Sequence, residues 1–228
     1  MAINLKTTRG LHASGVKLLV YGQAGTGKTT LITTLPSPVI LSAEAGLLSI
    51  AHADIPFISI DSMSTLQDAF NWLTSSDEAK QFESVALDSI SEIAEVILTA
   101  EKAKAKDPRQ AYGEMQDKMA GVIRAFRDLP GKHVYMTAKL ERSQDEMGRL
   151  LYSPSMPGQK TGQSLPYFFD EVLALRCEKD SEGKSVRALL CQTDGLWQAK
   201  DRSGRLEQWE SPDLGKIISK IEAANGTE

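Results

Sequence analysis

The chain of 228 residues is 41% hydrophobic and 25% charged, with a net charge of −4, the balance of a globular domain able to bury one sizeable core. The acidic balance excludes a global electrostatic drive toward nucleic acid, so any such contact has to come from a local basic patch. No apolar run reaches the length of a membrane span, and residues Met1 to Gly15 lack the apolar stretch of a secretory signal; a cytoplasmic protein with no membrane partner is expected. Cys177 and Cys191 fall on strand-like segments and read as free thiols, and the three histidines show no metal-ligand spacing.

Val16 to Tyr21 is apolar and β-prone and predicts a buried strand. It runs into Gly22-Gln23-Ala24-Gly25-Thr26-Gly27-Lys28-Thr29-Thr30, which matches G-x-x-x-x-G-K-[ST], the P-loop pattern. Thr29 to Leu35 holds no glycine or proline and stops at Pro36, so a helix is expected to open from the loop. Pro38 to Ala43 reads as the second strand and Ile55 to Ile60 as a third, with Pro56 placing the latter at an edge or at a strand start. Ser64-Thr65-Leu66-Gln67 reads as a capping box opening a helix whose Leu66, Ala69, Phe70 and Leu73 share a face.

Ser84 to Asp88 is the next strand, Ile90 to Lys104 a helix, and Met115, Met119, Val122, Ile123 and Phe126 the core stripe of another. His133 to Thr137 follows as a strand, and residues 139–166, polar and without a clear period, are expected to form a mobile loop. Glu171 to Lys179 and Ser185 to Thr193 predict an antiparallel hairpin, Gly195 to Asp201 a further strand, and residues 211–225 a closing helix capped by Ser211. The alternation predicts an α/β fold in a single domain over residues 1–228, with residues 1–15 as an N-terminal segment. Its sheet is expected to be mainly parallel and flanked by helices, with a C-terminal antiparallel hairpin extension.

A strand feeding a glycine loop that opens a helix aims backbone N–H groups at one spot, and polyphosphate suits that spot. Gly22, Gly25 and Gly27 let the backbone wrap closely, Lys28 is placed to reach the β- and γ-phosphates, and the Thr29 hydroxyl to ligand Mg²⁺. Asp88 closes an apolar strand, where a carboxylate can hold the same ion. Ser89 follows it where an acid would supply a water-orienting base, which leaves Glu44, at the end of the second strand, and Glu92, one helical turn beyond Asp88, as candidates. Thr137, at the end of a later strand, is a candidate γ-phosphate sensor.

The succession GQAGTGKTT, VILSAEAG, SVALDSIS and HVYMTA resembles the core of RecA-like recombination ATPases, above all the compact phage group of AAA-type or RecA-core ATPases that includes single-strand annealing proteins. The likeness extends through PYFFDEVLAL and QAKDRSGRL. It implies a RecA-like P-loop NTPase fold with the sensor strand between the P-loop strand and the Asp88 strand, and a strand-end Glu44 that activates water. It further implies a Mg²⁺-dependent ATPase of the host cytoplasm that acts on single-stranded DNA in recombination or annealing and is stimulated by it. Self-association into a ring or filament, and a single-strand DNA-binding protein as partner, belong to the same expectation.

Lys200 and Arg202 then offer either a finger reaching a neighbouring subunit's nucleotide or a solvated turn, while Lys139, Arg142, Arg149 and Lys160 offer DNA contacts in a loop that also carries Glu141, Asp145 and Glu146. Lys102, Lys104, Lys106 and Arg109 read as a solvated face. ATP is expected over GTP because no Asn-Lys-x-Asp sequence follows the sensor strand. Two rival readings remain: a P-loop kinase of a small molecule or nucleotide, with residues 142–160 as its lid, and a DNA-binding module with ATP as a regulatory ligand.

Overall fold

Strand β1 (Lys17–Gly22) is buried at every position, because consecutive apolar side chains feed two cores. Leu19 and Tyr21 join one core and Leu18 and Val20 the other, the two-sided burial of a central parallel strand. The computed structural model describes residues 15–44, 46–158, 162, 164–179 and 182–223.

Among the described residues nine further strands join β1: β2 (Pro38–Ser42), β3 (Phe57–Ser59), β4 (Ser84–Asp88), β5 (His133–Gln144), β6 (Leu150–Ser155), β7 (Glu171–Lys179), β8 (Ser185–Leu190), β9 (Lys200–Asp201) and β10 (Trp209–Glu210). The spatial order is β10-β8-β7-β1-β5-β4-β2-β3, with β6 paired to β5 and β9 to β7. All pairs from β3 to β7 are parallel, and β6, β8, β9 and β10 pair antiparallel. The sheet is thus mainly parallel with an antiparallel C-terminal hairpin, and β5 lies between β1 and β4, the order that the resemblance implies. β3 is an edge strand, as Pro56 predicts.

Helices α1 (Met63–Ser75), α2 (Ile90–Lys102) and α3 (Pro108–Arg127) cover the Leu19 face with stripes such as Met115, Met119, Val122, Ile123 and Phe126. The opposite face is closed by α4 (Leu214–Ala223), whose Leu214, Ile217, Ile218 and Ile221 pack with Leu18, Val20 and Tyr135. Among the described residues no helix is long and apolar enough to cross a membrane.

Several local expectations are corrected. The helix opening from the P-loop is a short 3-10 helix, Thr30–Thr34. Its β-branched residues disfavour an α-helix, and Thr33 and Thr34 return their hydroxyls to the Thr30 and Leu31 carbonyls. α1 is capped by Ser62 rather than Ser64, in a capping box with Thr65. α4 begins at Leu214, where the Asp213 carboxylate accepts from the Lys216 amide at 3.1 Å in the capping role expected of Ser211. The strand expected over Gly195 to Asp201 is reduced to β9, and β10 had no sequence signal.

The largest departure concerns residues 139–166. β5 continues to Gln144 and β6 returns beside it in an antiparallel ribbon, from Lys139↔Ser155 to Gln144↔Leu150, before a 3-10 turn at Leu165–Phe168. Asp145 ties the ribbon's turn by accepting from the Met147 and Arg149 amides. Residues 180–181 of the turn expected over residues 180–183, residues 224–225 of the expected closing helix and residues 1–14 lie outside the described residues.

Glu171, at the start of β7, is fully buried, and one of its carboxylate oxygens has no hydrogen-bond partner among the described residues. Burial, with the Asp201 carboxylate alongside, pushes its pKa up to about 8 from 4.5. Between those values the folded chain holds a proton that the unfolded chain has released, so this group's contribution to stability falls as pH rises through that window. Glu171→Gln is expected to flatten the decline of Tm between pH 5 and 8 seen by thermal denaturation. An unchanged slope would contradict the assignment.

Candidate nucleotide-binding site

The loop from Gly22 to Thr30 closes on itself. Lys28 Nζ donates to the carbonyls of Gly22 (2.9 Å) and Gln23 (3.0 Å), and Thr26 Oγ1 donates to Gln23 O. Gly22 is required sterically: a Cβ there would stand 2.7 Å from the Leu175 carbonyl of β7. Gly27 has φ +102°, a conformation that side-chain-bearing residues rarely adopt. From beneath, the buried Tyr135 hydroxyl donates to Lys28 O at 2.8 Å, a support that the β5 sequence alone did not announce.

Asp88 ends β4 at 1% exposure. Thr29 Oγ1 donates to its Oδ2 at 2.7 Å, and Thr137 Oγ1 makes a short bond to its Oδ1. Burial raises the Asp88 pKa; the two hydroxyl donors oppose that shift, the Glu44 carboxylate adds to it, and the Lys28 ammonium counters it. Burial also lowers the Lys28 pKa, against the pull of Glu44 and Asp88 and with help from the like charge of Lys139. A hydroxyl and a carboxylate side by side are hard oxygen donors of the kind that Mg²⁺ takes. Among the described residues no group of three or more His, Cys, Asp or Glu could hold a metal ion.

Ser89 explains the missing second acid. Its hydroxyl caps α2, accepting from the Glu92 amide at 3.3 Å, and donates to Glu44 Oε1. The Ser42 hydroxyl holds the Glu44 carbonyl at 2.7 Å. Glu44 therefore enters a cleft of about 750 Å³ with Lys28, Thr29 and Lys139. Glu92 is not on that wall; its carboxylate is bonded to the Lys139 ammonium, whose pKa the contact raises.

The remaining candidates are dispersed. Arg149 pairs with Asp145 at the ribbon's turn, Arg142 stands exposed on β5, and Lys160 lies outside the described residues. Lys104 pairs with Glu101, and Lys102 sits over the Tyr112 ring. Lys200 and Arg202 lie beside the start of β7, the end of the sheet remote from the P-loop. Lys200 Nζ donates to the Pro166 and Phe169 carbonyls, and Arg202 pairs with Asp170. Sequence reasoning missed Arg187, which reaches the cleft from β8.

A strand, a glycine loop with its lysine folded over it, and a buried strand-end carboxylate bonded to the loop's threonine define a P-loop NTPase. The sequence matches the model of the AAA domain over residues 14–203, and the chain belongs to that family. No curated protein matches it. Among solved structures it is similar to a KaiC-like protein from the hyperthermophilic archaeon Pyrococcus horikoshii OT3, at 14% identity, 78% coverage of each chain and a TM-score of 0.41.

Thr137 is wholly buried and its hydroxyl is committed to Asp88. Thr137→Val leaves that carboxylate one donor short and is expected to cost about 1–3 kcal/mol in urea unfolding without nucleotide. Thr137→Ser should recover most of the loss. Equal stability of the valine variant and the wild type would show that the bond carries no weight.

Proposed function

We propose that the protein is a Mg²⁺-dependent ATPase of RecA type that works on single-stranded DNA in recombination or annealing, in the manner of the phage proteins it resembles. The observation that carries the ATPase part is the convergence of Lys28, Thr29, Asp88 and Glu44 at one end of the P-loop cleft.

In this reading Lys28 leaves its loop carbonyls for the β- and γ-phosphate oxygens, and the loop amides bind the remainder of the chain. Thr29 and Asp88 would hold Mg²⁺, which would supply positive charge to the bound polyphosphate. Glu44, held in place by Ser89, orients the attacking water and accepts its proton. Thr137 positions Asp88 through its hydroxyl rather than sensing the γ-phosphate itself. Glu92 instead keeps Lys139 in place.

The DNA part rests on the sequence resemblance and on the β5–β6 ribbon, which exposes Lys139, Arg142, Ser143 and Gln144 of β5. Lys139 and Arg149 are each paired to a carboxylate, which leaves Arg142 as the ribbon cation with no ion pair among the described residues. One cation per chain is a weak site for a polyanion, so affinity in this proposal comes from repeating the ribbon in a ring or filament. Lys200 and Arg202 would act in such an assembly only on a neighbour's nucleotide, and only by giving up their present partners.

Lys28→Ala is expected to abolish ATP turnover, and an unchanged rate would sink the assignment. Glu44→Gln should lower kcat by about 100-fold or more while ATP affinity changes little, with Glu92→Gln close to wild type; the reverse ranking would transfer the base to Glu92. ATP turnover measured with and without single-stranded DNA tests the coupling. Strong stimulation is the expected result, and indifference to DNA would overturn that part alone.

A further inference from the structure

The P-loop divides the cleft into two ends. Asp88, Thr137 and Glu44 come from β4, β5 and the end of β2, all on one side of β1 in the sheet order. On the other side stand β7 and β8, which continue beyond the end of β1: Tyr21 pairs with Ala174, whereas Arg187 pairs with Cys177, three residues further along β7. Arg187 alternates with Leu189, which is buried in the core beside the P-loop's 3-10 helix, so its side chain emerges on the loop's own face of the sheet. There the guanidinium arm overhangs the loop. A Cβ at Gly27 would lie 3.7 Å from Arg187 Nε and 3.8 Å from both its Cδ and the Thr30 Cβ. Arg187 lines the same cleft as Lys28 and Glu44 and is exposed, and its side chain has no hydrogen bond or ion pair among the described residues.

We infer that Arg187 is a nucleotide contact supplied by the same chain, and that it grips the nucleoside monophosphate moiety, the part that ATP and ADP share. The inference rests on the nucleotide-binding reading of the cleft. The γ-phosphate end is assigned to the β2–β4–β5 side, because the candidate base Glu44 and the pair Thr29 and Asp88, which would hold the metal ion, all stand there. A triphosphate lying over the loop then extends its α-phosphate and nucleoside toward β8. A planar cation at that end suits both partners found there: it can donate to the α-phosphate oxygens and can lie against the face of a base. Lysine offers the charge without the plane or the fork. Arg187 is thereby separated in role from an arginine finger, which acts where the γ-phosphate leaves.

The test is calorimetric binding of ATP and of ADP, each with Mg²⁺, to the full chain as wild type, Arg187→Ala, Arg187→Lys and Lys28→Ala, with thermal melts to confirm folding. Arg187→Ala is expected to weaken ATP and ADP by the same factor, on the order of tenfold, and Arg187→Lys to recover part of it. A loss for ATP that exceeds the loss for ADP by tenfold would overturn the inference by placing Arg187 at the γ-phosphate. Unchanged binding of both nucleotides would overturn it by showing a solvated arginine. Undiminished ATP binding by Lys28→Ala would instead strike at the nucleotide-binding reading itself, whatever the Arg187 variants do.

Discussion

The site depends on one buried carboxylate. Asp88 would be costly at 1% exposure if it stood alone, and two hydroxyls from different parts of the chain make the burial tolerable. Thr29 brings the P-loop to β4, and Thr137 brings β5 to the same atom pair. The bonds therefore fix three segments that are far apart in sequence relative to one another. They also leave negative charge waiting beside Lys28, the arrangement into which a divalent ion and a polyphosphate can enter together.

A second tier holds the working groups in place. Ser89 caps α2 and holds the Glu44 carboxylate, so one hydroxyl couples the start of a helix to the candidate base. Ser91 does similar work two residues on: it accepts from the Lys139 amide at 2.9 Å and donates to the Ser155 carbonyl at 2.7 Å, which pins both strands of the β5–β6 ribbon to α2. Tyr135 supports the loop from below. The two serines are short side chains at a helix start and Tyr135 reads as one more buried strand residue, so none of them carries a distinctive spacing.

What the sequence announced and what it hid follow a physical division. Segments whose pattern is written by burial were legible: β1, β4 and the first half of β5 are runs of apolar residues, and α1 to α3 carry stripes at helical spacing. The P-loop and Asp88 were legible because close backbone approach and phosphate binding restrict residue choice at fixed positions. The β5–β6 ribbon was not, because beyond Ala138 its strands leave the core and lose the apolar alternation that marks a strand. Arg187 was hidden for a different reason: it meets the P-loop only through the pairing of β7 with β8, a relation between residues more than 150 positions apart from the loop in sequence. The P-loop helix was misjudged because an absence of glycine and proline does not outweigh a run of β-branched threonines.

β5 passes through the site and on into the ribbon without a break. Thr137, bonded to Asp88, and Gln144, at the far end of the ribbon, belong to the same extended strand, separated by roughly 23 Å at the usual rise per residue. A paired strand resists stretching along its length, and this one is clamped near its middle by Ser91. The ribbon is anchored a second time where Tyr152 of β6 exchanges backbone bonds with Leu196 and Gln198 and stacks on Trp197, so the site and the ribbon share one continuous strand held at both α2 and residues 196–198.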